Sequence, residues 1–363
     1  MAKKQSVGVV TSGMRPSGSF HLGNYLGALS NWVELQDEFE CFFFIVDWHA
    51  LTDNADTSTL IDDTRTMAID WLACGLDPEK SAIFVQSEIK ELTEFHLLLS
   101  MTTPVTWLER VPTYKERINQ QGIASPGYGL LGYPVLMAAD VIIYGGTRVP
   151  VGEDQVPHVN LMQDIARRFN NAYGQVLKIP RVWLTEAKRV PGTDWRKMSK
   201  RYGNSIEIAM TEAETIERVR QCFTDPLKIR LGDPGHPIRS FRPKTESDSD
   251  QDIVGRDPET EQELVVENPG CVVYALHKIY SADEVETICT TCKDGTRGCV
   301  ACKDELSSKI NGSLKDIRAR RVELVANLDF VDRVLAEGAA KARAKAQETM
   351  RQVRSAMKMW SVS

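Results

Sequence analysis

The order of apolar and polar positions predicts a parallel β-sheet flanked by helices in the first half of the chain. Three short apolar runs, "SVGVVTSG", "CFFFIVDWHAL" and "SAIFVQS", are typical of buried parallel strands. Between the last two lies "TLIDDTRTMAIDWLACG", whose apolar residues recur at helical spacing up to Gly75. Strand, helix and strand in this order favour an α/β domain with a doubly wound parallel sheet, which binds ligands beyond the carboxyl ends of its strands.

After about residue 205 the pattern becomes helical. We therefore expect a C-terminal helical domain over residues 206–363, following the α/β domain over residues 1–205. "TEAETIERVRQCF" begins with a capping box, Thr211 followed by Glu214, and "DFVDRVLAEGAAKARAKAQETMRQVRSAMKMW" is a long amphipathic segment. Between them, "DIVGRDPETEQELVV" is compatible with a β-hairpin, but the surrounding Pro-, Gly-, Ser- and Asp-rich composition favours a mobile surface insertion.

Negative charge is concentrated in that insertion, which we define as residues 241–268. The whole chain carries a net charge of −6, yet residues 245–268 hold nine acidic residues against one basic residue, Arg256. The remaining chain is therefore slightly basic, and a nucleic-acid surface elsewhere is compatible with the composition. The nine acidic residues are Glu246, Asp248, Asp250, Asp252, Asp257, Glu259, Glu261, Glu263 and Glu267.

Hydropathy and the first residues predict a cytoplasmic protein without a membrane span. The mean hydropathy is −0.28, and no apolar run approaches the roughly 18 residues that a spanning helix needs. "MAKKQSVGVV" lacks the apolar core of a secretory signal. In a reducing compartment, clustered cysteines are more typical of metal ligands than of disulfides.

The segment after the first apolar run is a candidate polyphosphate site. In "TSGMRPSGSFHLGNYLGAL", Gly13 and Gly18 permit a tight turn, and Pro16 stiffens it. "HLGN", from His21 to Asn24, then begins a helix whose unpaired amides suit an anion. Alone, such a turn is equally compatible with an ordinary loop.

A second cationic segment, "WRKMSKRYGN", strengthens this interpretation. Lys197 and Lys200 bracket Met198 and Ser199, and Arg201 adds a third cation. Together, "HLGN" and "KMSKR" resemble the two signature motifs of class I aminoacyl-tRNA synthetases, His-Ile-Gly-His and Lys-Met-Ser-Lys-Ser, in order and in their separation of about 175 residues. Asn24 and Arg201 depart from these motifs, and Arg15 stands where many relatives have glutamine.

The resemblance implies a Rossmann-like catalytic domain that activates an amino acid with ATP and Mg²⁺. In that reaction a carboxylate attacks the α-phosphate and pyrophosphate leaves, so the protein acts by positioning and by stabilising negative charge. The catalytic residues that the resemblance implies are His21, Asn24, Lys115, Lys197 and Lys200. The implied ATP contacts are Arg15, Pro16, Ser17, Gly23, Asn24, Gly152, Glu153, Asp154, Val190, Lys197, Met198, Ser199, Lys200 and Arg201.

Further stretches resemble the tryptophan branch of the class over most of the chain. These are "VDWHALT", "LERVPTYKE", "YPVLMAADVIIY", "VPVGEDQVPH" and "VLAEGAAKAR". The branch implies activation of L-tryptophan to tryptophanyl-adenylate, transfer to the 3′ end of tRNA(Trp), and a homodimer. A noncatalytic RNA-binding relative is the alternative, and it would be expected to lack His21, Lys115, Lys197 or Lys200, all of which are present. The implied tryptophan contacts are Asp140, Met137, Tyr133, His49, Gln155, Val149 and Val151.

Asp140 is the candidate specificity residue. An indole presents one N–H donor and no acceptor, so a fixed carboxylate between apolar walls recognises it. Asp140 is the only charged residue in "LMAADVIIY", and a buried carboxylate needs a partner. The alternative is a carboxylate hydrogen-bonded within the fold. Members of the related tyrosine branch recognise the phenol of their substrate with a tyrosine on an early strand. The stretch "VGVVTSG" contains no tyrosine, which favours the tryptophan branch.

Five of the eight cysteines fall between residues 271 and 302. Cys292, Cys299 and Cys302 have the spacing C-x6-C-x2-C, and Cys271 precedes them by a gap of 20 residues. This resembles a subset of the tryptophan branch that binds a [4Fe–4S] cluster with a first gap of 22 residues. Cys289 is an alternative fourth ligand, and four thiolates also suit Zn²⁺.

A basic stretch, "SLKDIRARR", follows the cysteines within the region expected to bind the tRNA anticodon. Arg318, Arg320 and Arg321 are candidate contacts to RNA phosphates. Charge on a helix is more often simply solvated.

Overall fold

The computed structural model describes residues 8–52, 56–121, 126–184, 190–245, 247–257 and 260–360. Contacts divide the chain into two compact units. The first comprises Met1–Phe20, Tyr25–Ala187 and Ala319–Ser363, and the second comprises His21–Asn24 and Lys188–Arg318. The division into a catalytic and a tRNA-binding region at residue 205 concerns function and stays a prediction.

The first unit contains a five-stranded sheet in which all strands are parallel. The strands are β1 (Val9–Met14), β2 (Glu40–Ile45), β3 (Ser81–Val85), β4 (Arg148–Val151) and β5 (Arg181–Leu184). Their order is β3-β2-β1-β4-β5. This confirms the predicted doubly wound sheet. Because the strand order reverses between β1 and β4, a ligand crevice is expected at the carboxyl ends of these strands.

Helices make up most of the remaining described chain. None of the helices in the described ranges is long and apolar enough to cross a membrane. In chain order the helices are α1 (Leu22–Asn24), α2 (Ser30–Leu35), α3 (Asp47–Ala50), α4 (Leu60–Ala73), α5 (Glu91–Ser100), α6 (Val105–Leu108), α7 (Pro112–Gln121), α8 (Tyr128–Ile142), α9 (Val156–Tyr173), α10 (Glu212–Arg220), α11 (Val272–Tyr280), α12 (Val285–Lys293), α13 (Cys299–Val325) and α14 (Leu328–Ala356).

The core of the first unit lies on both faces of the sheet. Phe42 of β2 stacks on Tyr144, with ring centroids 5.1 Å apart, and β2 is buried along five of its six residues. The C-terminal helix α14 packs directly on β3. At Gly338 an added Cβ would lie 1.9 Å from the carbonyl oxygen of Ile83, so only glycine permits this approach. By its contacts, α14 therefore belongs to the sheet-containing unit.

The second unit combines helices with a small antiparallel sheet of β6 (Ser240–Pro243), β7 (Ile253–Arg256) and β8 (Glu263–Asn268), in the order β6-β8-β7. Helix α10 begins with the predicted capping box. Of the two interpretations of the acidic insertion, the less favoured one, a hairpin, is seen in the pairing of β7 with β8, and its mobility stays a prediction.

Ion pairs explain why so acidic a segment still forms strands. Arg242 makes a bidentate pair with Asp248, at 2.6 and 2.7 Å, and Lys244 bonds Asp250. Cations at the start of the insertion thus offset part of the repulsion between its carboxylates. Of the nine acidic residues, Glu246 and Glu259 lie outside the described residues.

Candidate active site

A cavity of about 410 Å³ opens at the carboxyl ends of β1, β2 and β4 in the first unit. Its size is in the range of small-molecule sites. Arg15, from the loop after β1, and Gly152, directly after β4, lie in its wall together with the residues predicted to bind the amino acid. Those residues are His49, Tyr133, Met137, Asp140, Val149, Val151 and Gln155. The structure therefore brings all seven to one cavity.

Asp140, on α8, is the buried polar centre of this cavity. His49 Nε2 lies 2.9 Å from Asp140 Oδ2 and donates to it when that nitrogen carries the ring proton. Gln86 Nε2 donates to Oδ1 at 2.7 Å and to Oδ2 at 2.9 Å. A carboxylate offers about four lone-pair positions, and these contacts use three. The position left is on Oδ1, in a site where Asp140 is only 3% exposed.

Gln86 was missed from the sequence. It directly follows β3 and is completely buried, and its Oε1 accepts the backbone N–H of Trp48 at 3.2 Å. Asp47 accepts the N–H groups of Trp48 and Ser87, both at 3.1 Å, which fixes α3 beside the turn after β3. The available signal was a single polar residue at the carboxyl end of the apolar run "SAIFVQS".

Tyr133 belongs to a second hydrogen-bonded group in the cavity wall. Its hydroxyl bonds the hydroxyl of Thr113, which also lies 3.1 Å from His158 Nε2. Thr113 and His158 line the cavity but were not predicted from the sequence. They lie beside Tyr133, one of the residues that the resemblance assigns to tryptophan binding.

The two signature motifs meet in the second unit. The N–H of Leu22 donates to the carbonyl of Ile206 at 2.9 Å, and His21 forms an antiparallel bridge with Glu207. A Cβ added to Gly23 would lie 3.6 Å from the Cβ of Met198. "HLGN" therefore lies beside "KMSKR", as the resemblance implied.

His21 is neutral at pH 7 and presents an N–H donor. Burial, together with the positive charges of Lys200 and Lys197, lowers its pKa from 6.5 to about 4. The N–H of Asn24 donates to His21 Nδ1 at 3.2 Å, so the ring proton of the neutral form lies on Nε2. Two cations and a neutral donor thus face one place, which suits a polyanion.

The "KMSKR" loop is held by Asn204, which sequence reasoning also missed. Asn204 accepts the N–H of Ser199 at 2.8 Å and donates to the carbonyl of Lys197 at 3.2 Å. Its amide also donates to Asp194 at 2.7 Å. Because Asn204 is almost fully buried, these bonds fix the backbone on which the lysines are carried.

The remaining residues predicted to bind or act on ATP are found in both units. Glu153 and Asp154 are exposed in the turn after β4, and Lys115 is exposed on α7 in the first unit. Val190 is buried in the second unit, and Arg201 is exposed there. Pro16 and Ser17 lie in the loop between β1 and α1.

Four of the clustered cysteines line one small cavity in the second unit. They are Cys271, Cys292, Cys299 and Cys302, which are the three with the C-x6-C-x2-C spacing and one of the two candidates for the fourth ligand. Cys289 is absent from this wall, and its thiol interacts with the hydroxyl of Tyr274. Over the described residues, no three Cys, His, Asp or Glu side chains are arranged to hold one metal ion.

The arginines proposed to contact RNA bind the protein itself. Arg318 donates to Asn311 and Thr215, at 2.8 and 2.7 Å. Arg320 donates to the carbonyl of Ala73, and Arg321 pairs with buried Asp70 at 2.8 Å; these contacts are within the first unit. These bonds use only part of the five N–H donors of each guanidinium group, and Arg320 is exposed, so the suggested phosphate contacts stay a prediction.

Comparison with known proteins agrees with this geometry. Residues 3–315 match the family model of tRNA synthetases class I (W and Y). The chain is 42% identical to a tryptophan–tRNA ligase of Thermotoga maritima and 38% identical to one of Aquifex aeolicus; each alignment covers 96% of this chain and 99% of the relative. A tryptophanyl-tRNA synthetase from Campylobacter jejuni, solved with ADP and tryptophan, superposes with a TM-score of 0.80 at 31% identity, covering 97% of this chain and 100% of that one. The chain therefore belongs to the class I tRNA synthetases of the tryptophan and tyrosine family.

Proposed function

We propose that this protein is a tryptophan–tRNA ligase, which activates L-tryptophan with ATP and transfers it to the 3′ end of tRNA(Trp). The observation that carries the choice of amino acid is Asp140, whose Oδ1 keeps one acceptor position in an apolar cavity. The indole N–H fits this position, and Met137, Val149 and Val151 supply the apolar walls. The relatives with near-complete alignments are tryptophan–tRNA ligases.

In the activation step, an oxygen of the tryptophan carboxylate attacks the α-phosphorus of ATP. The bond from that phosphorus to the bridging oxygen of the β-phosphate breaks, and pyrophosphate leaves with the electron pair. Bound with ATP, Mg²⁺ would neutralise part of the phosphate charge. The Nε2–H of neutral His21 donates to a phosphate oxygen, and Lys197 and Lys200 stabilise the charge that develops on pyrophosphate. Asn204 positions the lysines by fixing their backbone.

In the transfer step, the terminal 2′-hydroxyl of the tRNA attacks the carbonyl carbon of tryptophanyl-adenylate, and AMP leaves. We propose that residues 206–363 include the contacts to the tRNA anticodon. Arg320, which is exposed and donates through Nε to the carbonyl of Ala73, is a candidate for a contact to RNA phosphate.

Tryptophan-dependent exchange of labelled pyrophosphate into ATP tests the first step directly. The wild-type protein with Mg²⁺ should exchange pyrophosphate with tryptophan and not with tyrosine. Lys200→Ala should lower the exchange rate strongly, whereas Lys278→Ala, at a lysine near Tyr274 of α11, should leave it unchanged. Absence of exchange by folded wild-type protein would refute the proposal, and preference for tyrosine would refute the role of Asp140.

We further propose that the four cysteines of the small cavity hold a [4Fe–4S] cluster, with Zn²⁺ as the alternative. The support for this proposal is that four free cysteines line one cavity, since four thiolates suit either group, and that Cys289 interacts with Tyr274 instead. When bound, the group would cross-link α11, α12 and α13. Arg297 and His277 both interact with Cys302, and they would orient this ligand.

Iron, acid-labile sulfide and zinc analysis after anaerobic purification tests this site. A brown protein with broad violet-blue absorption and bound iron is expected, and a colourless protein with one zinc would refute the cluster. Cys271→Ser should lose the metal, whereas Cys289→Ser should retain it. The opposite pattern would replace Cys271 by Cys289 as the fourth ligand.

We also propose a cytoplasmic homodimer. Four large apolar side chains are exposed in the first unit, on α5, the following turn, α6 and the start of α8. They are Leu97, Met101, Val105 and Tyr128. An exposed apolar group of this kind is typical of a surface that another chain covers. Light scattering should give twice the mass of the chain, and Met101→Asp should shift the protein toward monomer. A monomeric wild-type protein would contradict the proposal.

A further inference from the structure

The turn that precedes the "KMSKR" loop holds a tryptophan in an unusual backbone conformation. Trp195 has φ +71°, in the left-handed region that favours glycine. The N–H of Trp195 donates to the carbonyl of Gly192, and the N–H of Gly192 donates to the carbonyl of Arg196, at 3.2 and 2.8 Å. Trp195 therefore forms the tip of a tight turn, and the chain reaches Lys197 two residues later. A large aromatic residue at such a position needs a compensating contact.

That contact comes from the base of the acidic insertion. The guanidinium of Arg239 contacts two aromatic rings, with Cζ 4.8 Å from the ring centroid of Trp195 and 5.3 Å from that of Phe241 on β6. We call Trp195, Arg239 and Phe241 the aromatic stack. Both Nε1 of Trp195 and Nε of Arg239 are buried without a hydrogen-bond partner among the described residues. Ring stacking, rather than hydrogen bonding, therefore holds the tryptophan in place.

The backbone around Arg239 is also fixed. Gly270 has φ +65°, and a Cβ there would lie 2.4 Å from the backbone nitrogen of Arg239. The N–H of Cys271 donates to the carbonyl of Pro237 at 3.0 Å. Both ends of the acidic insertion thus meet at Arg239, so the stack connects the insertion to the turn before Lys197.

We propose that the aromatic stack is a positioning device, through which the acidic insertion holds Lys197 and Lys200 toward His21. This rests on the proposed ATP-dependent activation. Trp195 is a positioning residue, since it acts through the backbone of the loop. The arrangement is the one needed for charge stabilisation, because both lysines already act electrostatically on His21. Ordinary loop packing would be served by glycine at the tip of the turn, whereas a strained tryptophan provides a ring that can be held from outside the turn.

Arg239→Met tests the stack, because methionine keeps much of the side-chain length and removes the charge over the rings. The loss of a cation–π contact of this kind corresponds to a decrease of about 2- to 30-fold in kcat/KM. In pyrophosphate exchange, we expect kcat/KM for ATP to fall by this factor, with KM for tryptophan changing less than about 2-fold. Trp195→Gly should show the same loss, and Trp195→Phe should restore most of the activity because a ring remains.

Arg256→Met is the matched control. It removes one positive charge from the insertion itself, at a site whose described ion pair is with Glu263 on the neighbouring strand, and it should leave the kinetics unchanged. NMR titration of the His21 ring gives a readout that simple loss of stability would not change. In Arg239→Met the pKa of His21 should rise from about 4 toward its ordinary value, because the lysines move away.

The outcomes separate this proposal from the proposed function. If the wild-type protein exchanges pyrophosphate while Arg239→Met and Trp195→Gly match it in kcat/KM and in the His21 pKa, the positioning role is overturned. If Arg239→Met does not fold, the comparison of Trp195→Gly with Trp195→Phe decides, and equal kinetics in the two would overturn it. No exchange by the wild-type protein would instead refute the proposed function.

Discussion

The hydrogen bonds at Asp140 predict how strongly the cavity should discriminate an indole from an analogue without the N–H. The perturbation is Asp140→Asn, combined with a substrate in which a benzothiophene ring replaces the indole. The sulfur analogue keeps the bicyclic shape but has no N–H donor. In the wild-type protein, the free acceptor position on Oδ1 would then face an apolar edge instead of a donor.

The magnitude follows from a charge-assisted hydrogen bond in a buried site. Such bonds contribute about 1.5–3 kcal/mol, which is about 10- to 150-fold in kcat/KM. Wild-type protein should therefore prefer tryptophan over the analogue by at least about 10-fold. In Asp140→Asn, Gln86 and the substrate both present donors to a group with one acceptor oxygen. Activity with tryptophan should fall, and the preference should shrink toward 1.

Pyrophosphate exchange measured with each substrate gives the two ratios. Val149→Ala is the control, because the smaller side chain enlarges the cavity without changing Asp140. It should reduce activity with both substrates and leave the ratio of the two activities near the wild-type value. A preference that persists unchanged in Asp140→Asn would show that the indole N–H does not bind this carboxylate. Asp140 would then be only a structural partner of His49 and Gln86.

Four further predictions concern charge and packing. NMR should show His21 with a pKa of about 4, and Lys200→Ala should raise it, because one of the two nearby positive charges is removed; an unchanged pKa would contradict the contact. Because this pKa lies below the unfolded value, the unfolded chain takes up the proton first, so acidification from about pH 6.5 to 4 should favour unfolding through this group. Gly338→Ala should destabilise the protein by about 1–3 kcal/mol in chemical denaturation, since its Cβ would meet the backbone of Ile83. Gly312→Ala, in the interior of α13 where the added Cβ meets nothing within 4 Å, should instead stabilise by about 0.5–1 kcal/mol.

Local patterns were sufficient to predict the regular elements. The three early strands, α4 ending before Gly75, and the capping box of α10 all depend on residues within one short window. The residues of the tryptophan cavity came from resemblance, because pocket walls combine positions that no periodicity connects. Asp140 is the exception, since one charge in an apolar helix already requires a buried partner.

The features that sequence reasoning missed depend on long-range pairing. Gln86 meets Asp140 across 54 positions, and Arg321 meets Asp70 across 251. No local signal distinguishes such polar residues from solvated ones until the fold brings the partner close. The hairpin in the acidic insertion was not the favoured prediction, for a related reason. Its composition suggests disorder, but Arg242 and other cations pair with its carboxylates and allow strands to form.

The residues proposed to recognise the indole and those proposed to stabilise pyrophosphate are held in physically different ways. This difference determines how substitutions should act. Asp140 and Gln86 lie on α8 and directly after β3, where packing fixes every donor and acceptor before a ligand arrives. Lys197 and Lys200 lie on a loop that is held by a few contacts, chiefly those of Asn204. Recognition of a neutral indole needs rigid geometry, because one misplaced hydrogen bond removes the discrimination. Stabilisation of a leaving polyanion needs charge that follows the phosphate, which a loop provides. Substitutions around Asp140 should therefore change the choice of amino acid, whereas substitutions around Lys197 should change the rate with every amino acid that binds.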